Sequence, residues 1–261
     1  MISKNQLKLL RSLQQKKYRK QEKKFLIEGL NLCRAAIESY YRTELFLFGE
    51  SVAEKEPFAA LQQLASGKGI DLEIIADKTI MQLSDAVSPQ GVVAVVKMPE
   101  LKLTELWDSS PHQLIILDKI ADPGNLGTII RSAAWFGLSA VICSDRCVDL
   151  YNAKVLRSSA GSVFYIPQIY TDVEILSLSA ELAARGYQLY AADSSGKTSY
   201  READFSVPYA LIVGSERHGV QAAFNQLPVQ KISIPRHGKG DSLNAGVAAS
   251  IILTYAVGHG S

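Results

Sequence analysis

Five short, almost unbroken apolar runs, each next to a stretch with helical spacing, constrain this chain more than any other feature. They are Leu114-Ile115-Ile116-Leu117, Ala140-Val141-Ile142-Cys143, Tyr187-Gln188-Leu189-Tyr190, Leu211-Ile212-Val213 and Ile232-Ser233-Ile234. A strand buried on one face alternates apolar and polar residues, whereas one buried on both faces reads as a continuous apolar run. Runs of this kind with helices between them predict a parallel sheet covered on both sides. Upstream, Leu45-Phe46-Leu47-Phe48, Leu72-Glu73-Ile74-Ile75 and Val92-Val93-Ala94-Val95-Val96 are separated by helical stretches near residues 57–66 and 78–85, which predicts a smaller α/β sandwich. The segment between the two sets carries Pro99, Pro111, several charges and no sustained period, so it reads as a linker. The expected organisation is a domain at 1–98, a linker at 99–110 and a domain at 111–261.

At 261 residues and 47% apolar content, the chain can bury two modest cores. Its apolar stretch from Val247 to Val257 is well short of the roughly 20 residues of a membrane span and predicts a buried terminal helix. That helix offers more apolar surface than one monomer needs, which predicts a homodimer. No apolar segment follows the charged first residues, so no secretory signal is expected. Cys33, Cys143 and Cys147 lack the second pair or neighbouring histidine of a zinc site. Free thiols in a reducing cytoplasm, and no metal, are expected.

Charge is unevenly distributed. Residues 1–24 hold nine Lys or Arg against Glu22 alone, so from a formal net charge of +2 the remainder is left at about −6. Leu7, Leu10 and Leu13 keep a helical spacing through this arm, which predicts a helix with its cations outward. A basic arm on an acidic body suits a polyanionic partner, and Lys16, Lys17, Arg19 and Lys20 are its candidate contacts. A charge run by itself is more often a solvated helix face, and the arm gains weight only beside the motifs below.

Three segments carry the candidate chemistry. In the first, Leu114-Leu117 leads through Asp118-Lys119-Ile120-Ala121-Asp122-Pro123-Gly124 into a helix, with Asn125 at an expected N-cap. Arg131 stands among Ile129, Ile130, Ala133 and Ala134 of that helix, where a guanidinium requires an acidic partner or an anionic ligand. In the second, Leu211-Ile212-Val213 ends in Gly214-Ser215-Glu216-Arg217-His218-Gly219, placing glycine and a carboxylate at the edge where open α/β sheets bind ligands. In the third, Ile232-Ser233-Ile234 ends at Pro235, a loop with Gly238 and Gly240 follows, and Ser242-Leu243-Asn244 opens the last helix. Ser242 or Asn244 could simply cap that helix, while the glycines would let backbone groups wrap a small ligand. Neither a dinucleotide GxGxxG nor a P-loop GxxxxGK[ST] is present.

Asn125 with Arg131, Gly214 with Glu216, and Ile234-Pro235 with Ser242-Leu243-Asn244 occur in the order of the three motifs of the SpoU-type RNA ribose methyltransferases, which they resemble. The stretch Lys154-Val155-Leu156-Arg157-Ser158-Ser159-Ala160-Gly161 is similar to that family's segment between its first two motifs. Lys17-Tyr18-Arg19, Phe25-Leu26-Ile27-Glu28-Gly29 and Ser88-Pro89-Gln90-Gly91 resemble the substrate-binding domain of ribosomal protein L30e fold that often precedes the catalytic domain. Resemblance thus covers almost the whole chain. It implies a SPOUT catalytic domain with a trefoil-knotted parallel sheet, although general topology rules favour an unknotted one.

It further implies an S-adenosylmethionine site lined by Gly214, Ile234, Leu243 and Asn244. Asn125, Arg131, Glu216, Ser242 and Asn244 are implied to surround the reacting ribose, with Arg131 orienting the 2′-hydroxyl and Glu216 positioning either Arg131, as a buried ion pair, or Asn125. The implied substrate is RNA, ribosomal ahead of transfer RNA, and the implied assembly a homodimer through the catalytic domain. Asp241 and Arg236 depart from the family's usual Glu and Met, and Ala245-Gly246 from its Val-Ser. The alternatives are a catalytically silent RNA-binding or ribosome-assembly protein of the same fold, and a base-modifying SPOUT enzyme.

Overall fold

The computed structural model describes residues 2–215, 218–240 and 242–259. In chain order the elements are α1 (Lys4–Ser12), α2 (Lys16–Glu22), β1 (Lys24–Glu28), α3 (Leu30–Glu38), β2 (Thr43–Gly49), α4 (Phe58–Gly67), β3 (Asp71–Ile75), α5 (Asp77–Leu83) and β4 (Val92–Lys97). They continue as β5 (Gln113–Asp118), α6 (Pro123–Trp135), β6 (Ala140–Ser144), α7 (Ala153–Ser158), β7 (Gln168–Val173), α8 (Ile175–Ala184), β8 (Gln188–Ala192), β9 (Thr198–Ser199), β10 (Tyr209–Gly214), β11 (Val229–Ser233) and α9 (Ala245–His259). The chain divides into two units, Met1–Glu100 with Tyr151–Tyr165, and Leu101–Leu150 with Ile166–Ser261.

The first unit is built on a four-stranded sheet of order β1-β4-β2-β3. β4, whose five residues Val92 to Val96 are all buried, pairs antiparallel with β1 and β2, and β3 adds parallel to β2. The basic arm is two helices and not one. Ser3 and Gln6 close a capping box on α1, and Leu10 and Leu13 pack against Leu47, Ile75 and Ile80. The chain then turns before α2, and Arg19 fills the corner. Arg19 is only 4% exposed, and its Nη1 donates to the Leu13 and Gln14 carbonyls at 2.8 and 2.7 Å. These are carbonyls that the end of α1 leaves without helical donors, so Arg19 is a structural cation and not an RNA contact as the charge run suggested. Lys16, Lys17 and Lys20 are exposed.

Gln90 gives the Ser88-Pro89-Gln90-Gly91 stretch a purpose. Its Oε1 accepts the Leu30 N–H at 3.1 Å, capping α3 in place of Gly29, which has no side chain to do so. A Cβ at Gly29 would lie 2.8 Å from that oxygen. The stretch Tyr151–Tyr165, expected to belong to the 111–261 domain, packs in the first unit instead. Tyr151 lies against Phe25 with centroids 4.3 Å apart, Phe164 meets Tyr41 edge-on at 5.0 Å, and Arg157 pairs with Asp85 at 3.4 Å.

The second unit holds a seven-stranded sheet of order β7-β6-β5-β10-β8-β11-β9, and every pairing in it is parallel. All five apolar runs are strands of this sheet, and β7 and β9 extend it at the edges. One face packs Leu114, Ile116, Ile142, Ala210 and Ile212 against Leu178 and Leu182 of α8. The segment expected as a linker joins that core. It forms a 3-10 helix at Leu103–Ser109 whose Leu106 is fully buried, because Leu103, Leu106 and Trp107 present one apolar side despite the flanking prolines. Gly186 at φ +88° follows the C-cap residue Arg185 of α8, where only glycine adopts that conformation without strain.

Candidate active site

Parallel strands deliver their following loops to one edge, so the three motif loops leave the same carboxyl edge of the sheet. β5 and β10 are neighbours in register, with Asp118 opposite Gly214, and β11 lies one strand beyond β8.

The first loop turns at Lys119, whose φ is +59° and whose N–H donates to Ser144 Oγ at 3.1 Å. The N-cap of α6 is Asp122 and not Asn125. Pro123 occupies the first helical position, its fixed φ suiting a helix start, and Asp122 Oδ1 accepts the Asn125 N–H at 2.9 Å. Asn125 is thereby placed within the first turn with its side chain turned inward and buried. Its Oδ1 accepts a 2.6 Å hydrogen bond from Asn244 Nδ2, across 119 residues of sequence.

Asn244 also caps α9. Its Oδ1 accepts from the N–H groups of Gly246 at 2.9 Å and Val247 at 3.2 Å. One side chain therefore ends the third motif loop, starts the last helix and fixes the carboxamide of the first motif. Gly246 allows the crossing, since a Cβ there would lie 3.0 Å from Thr128 Cγ2 of α6.

Arg131 is brought elsewhere. Leu126, Ile129, Ile130 and Ala133 form the buried face of α6, and at 3.6 residues per turn Thr128, Arg131 and Trp135 fall on the opposite one. Arg131 is exposed, and Trp135 beside it is 84% exposed. Among the described residues Arg131 forms no ion pair, so the expected burial is corrected: the apolar spacing hid which side of the helix the guanidinium takes. Glu216, its expected partner, lies outside the described residues, as does Asp241.

The second loop doubles back on its own strand. Gly219 donates its N–H to the Ser215 carbonyl at 2.8 Å, and His218 donates to Ser215 Oγ at 3.3 Å. A Cβ at Gly214 would lie 2.1 Å from the Gly219 carbonyl carbon, so only glycine fits. Past the turn, the Gln221 N–H donates to Asp118 Oδ2 at 2.7 Å. Sequence reasoning passed over Asp118, although a carboxylate closing an apolar strand at this edge was its visible signal.

In the third loop, Ile234 is half-buried and residues 235–240 are exposed, with Arg236 donating to the Gly240 carbonyl. Ser242 is exposed, and Leu243 at 48% is a large apolar side chain presented at the same edge. Behind the first loop, Cys147 lies against the Leu117 carbonyl at 3.3 Å, and the Cys143 thiol beside it holds its pKa down to about 7. The hydrogen bond with Cys147, and then burial, push the Cys143 thiol well up. All three cysteines are free. Among the described residues no cluster of His, Cys, Asp and Glu is placed to hold a metal, and no helix is long and apolar enough to cross a membrane.

Known proteins resemble this chain over nearly its whole length. The profile of the SpoU rRNA Methylase family matches residues 112–254, and that of an MRM3-like substrate binding domain matches residues 4–94. The chain is 33% identical over 257 residues to the 23S rRNA (guanosine(2553)-2'-O)-methyltransferase RlmP of Bacillus subtilis, covering 98% of both chains. It is 30% identical to the 23S rRNA (uridine(2479)-2'-O)-methyltransferase of Streptomyces viridochromogenes, covering 89% of this chain and 82% of that one. The crystal structure of the SpoU methyltransferase AviRb from Streptomyces viridochromogenes in complex with AdoMet superposes with a TM-score of 0.86 at 28% identity, covering 98% of this chain and 97% of that one.

Proposed function

This chain belongs to the SpoU rRNA methylase family, and on that premise we propose that its paired Asn125 and Asn244, with the loops after Gly214 and Ser233, form the site of its reaction, to which exposed Arg131 is assigned from its motif place alone. The protein is an S-adenosylmethionine-dependent RNA methyltransferase acting on a ribose 2′-hydroxyl, and its substrate is ribosomal RNA. The observation that carries the site assignment is the 2.6 Å bond joining Asn125 to Asn244, because it ties the first and third motif loops into one constellation.

The cofactor fits these residues. Leu243 and half-buried Ile234 offer apolar contact, and the loops around Gly214 and Gly240 offer backbone donors and acceptors. When bound, S-adenosylmethionine supplies a methyl group on a positively charged sulfur, open to in-line displacement by an oxygen. Leu243, Ile234 and the loop after Gly214 hold and orient it, and proximity supplies much of the rate. Asn125, its carboxamide held by Asn244, orients the 2′-hydroxyl. A guanidinium is a poor general base, so the role of Arg131 is to stabilise the alkoxide charge that grows as the proton departs to water or a substrate phosphate. Ser242 stands at the ribose side, and Glu216 is assigned to position Arg131 or Asn125 from its motif place alone.

In the first unit, Lys16, Lys17 and Lys20 are assigned to RNA phosphates, which position nucleic acid without reading its bases. A homodimer through the second unit is supported by exposed Trp135 on α6 and by Val247, 45% exposed, on α9. The protein is assigned to the cytoplasm, where its substrate resides.

The test is nucleoside mass spectrometry of ribosomal RNA incubated with the protein and S-adenosylmethionine. The expected product is a 2′-O-methylated nucleoside. A methylated base would favour a base-modifying relative, and an unmodified RNA that still binds would favour a silent binding protein.

A further inference from the structure

We propose that Asp118 is a positioning residue that holds the second motif loop in its cofactor-binding shape. The inference rests on the assignment of that loop to the cofactor. Asp118 is fully buried at the end of β5, behind the apolar run Leu114 to Leu117. Burying a carboxylate there is unfavourable unless hydrogen bonds compensate it, and an apolar residue would serve packing better. Yet the side chain is incompletely satisfied. Oδ2 accepts the Gln221 N–H at 2.7 Å, while Oδ1 is buried and meets no donor among the described residues. The next backbone N–H, that of Lys119, is spent on Ser144. Gln221 belongs to the returning limb of the loop that begins at Gly214, the neighbour of Asp118 in the sheet.

The loop needs such a hold. Its internal bonds, Gly219 to the Ser215 carbonyl and His218 to Ser215 Oγ, close the turn upon itself but do not fix its tilt against the sheet. Gly214 removes the one side chain that would separate the turn from the strand, and leaves nothing of its own to anchor it. Asp118, on the adjacent strand, supplies that anchor.

Gln221→Pro tests this. Gln221 has φ −59°, which suits a proline ring, so the substitution deletes the N–H without changing φ, and the ring Cδ that replaces the hydrogen also displaces the Asp118 carboxylate from this position. The affinity for S-adenosylhomocysteine is measured by calorimetry, and KM and kcat by methyl transfer to ribosomal RNA. Loss of one hydrogen bond to a charged acceptor is expected to raise Kd and the cofactor KM about 10-fold to 100-fold, with kcat at saturating cofactor within about 3-fold. Asp118→Asn, which keeps an acceptor for Gln221, is expected to fall between wild type and Gln221→Pro. A folded Gln221→Pro protein with wild-type Kd and KM overturns the inference, because a purely structural bond would lower the melting temperature alone. If Gln221→Pro does not fold, Asp118→Asn decides: wild-type Kd and KM with an unchanged kcat overturn the inference, and a raised KM with kcat preserved supports it. Hydrogen exchange of residues 214–221 in the wild-type protein, with and without S-adenosylhomocysteine, separates the two levels. Absence of protection there removes the loop assignment and the inference together, whereas protection with an unaltered Gln221→Pro variant removes the inference alone.

Discussion

Replacing Asn244 with Ala and with Asp separates two contributions of one side chain. The Ala variant loses the α9 cap made by Oδ1 to Gly246 and Val247, a loss of about 1 kcal/mol for a typical N-cap. It also loses the bond from Nδ2 to Asn125, about 1 kcal/mol for a part-buried neutral hydrogen bond. Together these amount to about 2 kcal/mol, or roughly 4–8 °C in melting temperature for a chain of this size. Asp keeps the capping oxygen and adds negative charge at a helix N-terminus, worth about 0.3–1 kcal/mol in its favour. It cannot donate to Asn125. Asn244→Asp should therefore melt within about 4 °C of wild type and retain cofactor affinity, yet transfer methyl groups at least about 10-fold more slowly because Asn125 is no longer held. Asn244→Ala should lose stability, cofactor affinity and transfer together. Scanning calorimetry, cofactor titration and single-turnover methylation of ribosomal RNA supply the three readouts. If Asn244→Asp destabilises as much as Asn244→Ala, the cap is not the stabilising part; if it transfers at the wild-type rate, the tether to Asn125 has no catalytic role.

Arg131→Ala should slow methyl transfer by about 100-fold to 1,000-fold with cofactor Kd unchanged, and activity within a few-fold of wild type would remove Arg131 from the mechanism. Changing Lys16, Lys17 and Lys20 together to Ala should weaken RNA binding and flatten its salt dependence by up to about two units of slope, given roughly 0.7 per phosphate on single strands. Arg19→Ala, by contrast, should lower the melting temperature and leave the salt slope alone; a changed slope would return Arg19 to the RNA surface. Because Cys147 sits at about 7, below an ordinary thiol, its thiolate fraction grows as pH rises through 7. A small methanethiosulfonate should therefore label one thiol with a rate that climbs between pH 6 and about 8, and Cys147→Ser should abolish that phase.

The parallel sheet was legible because strands buried on both faces have no polar side to interrupt them, as at Leu211-Ile212-Val213. Strands with mixed surroundings were not. β1 buries Phe25 and Ile27 between Lys24 and Glu28, and β7 carries Asp172 and Thr171 beside its buried Ile169 and Tyr170, so neither stands out from its flanks. The motif residues could be named but not oriented. Arg131 has apolar neighbours on both sides in sequence, and only the packing of α6 decides which of them shares its face. Asp122 was hidden as a cap by the more conspicuous Asn125, although Pro123 directly after it marked the helix start. Arg19 escaped because a run of cations invites the assumption that all of them face water. No local pattern could reveal the Asn125–Asn244 pair or the Asp118–Gln221 bond, which join residues more than 100 positions apart.

The chain passes from one unit to the other three times, at Glu100, after Leu150 and after Tyr165. On the ribosome this sets an order of events. At about 5–20 residues per second, Tyr165 is made roughly 3–13 s after Glu100. Throughout that interval Phe25 and Tyr41 lack Tyr151 and Phe164, so the first unit has its strands but not its complete aromatic core. The half of the chain synthesised first is the half that finishes waiting for a segment of the other, and a nascent protein of this kind presents an open aromatic face to whatever chaperone attends the tunnel exit.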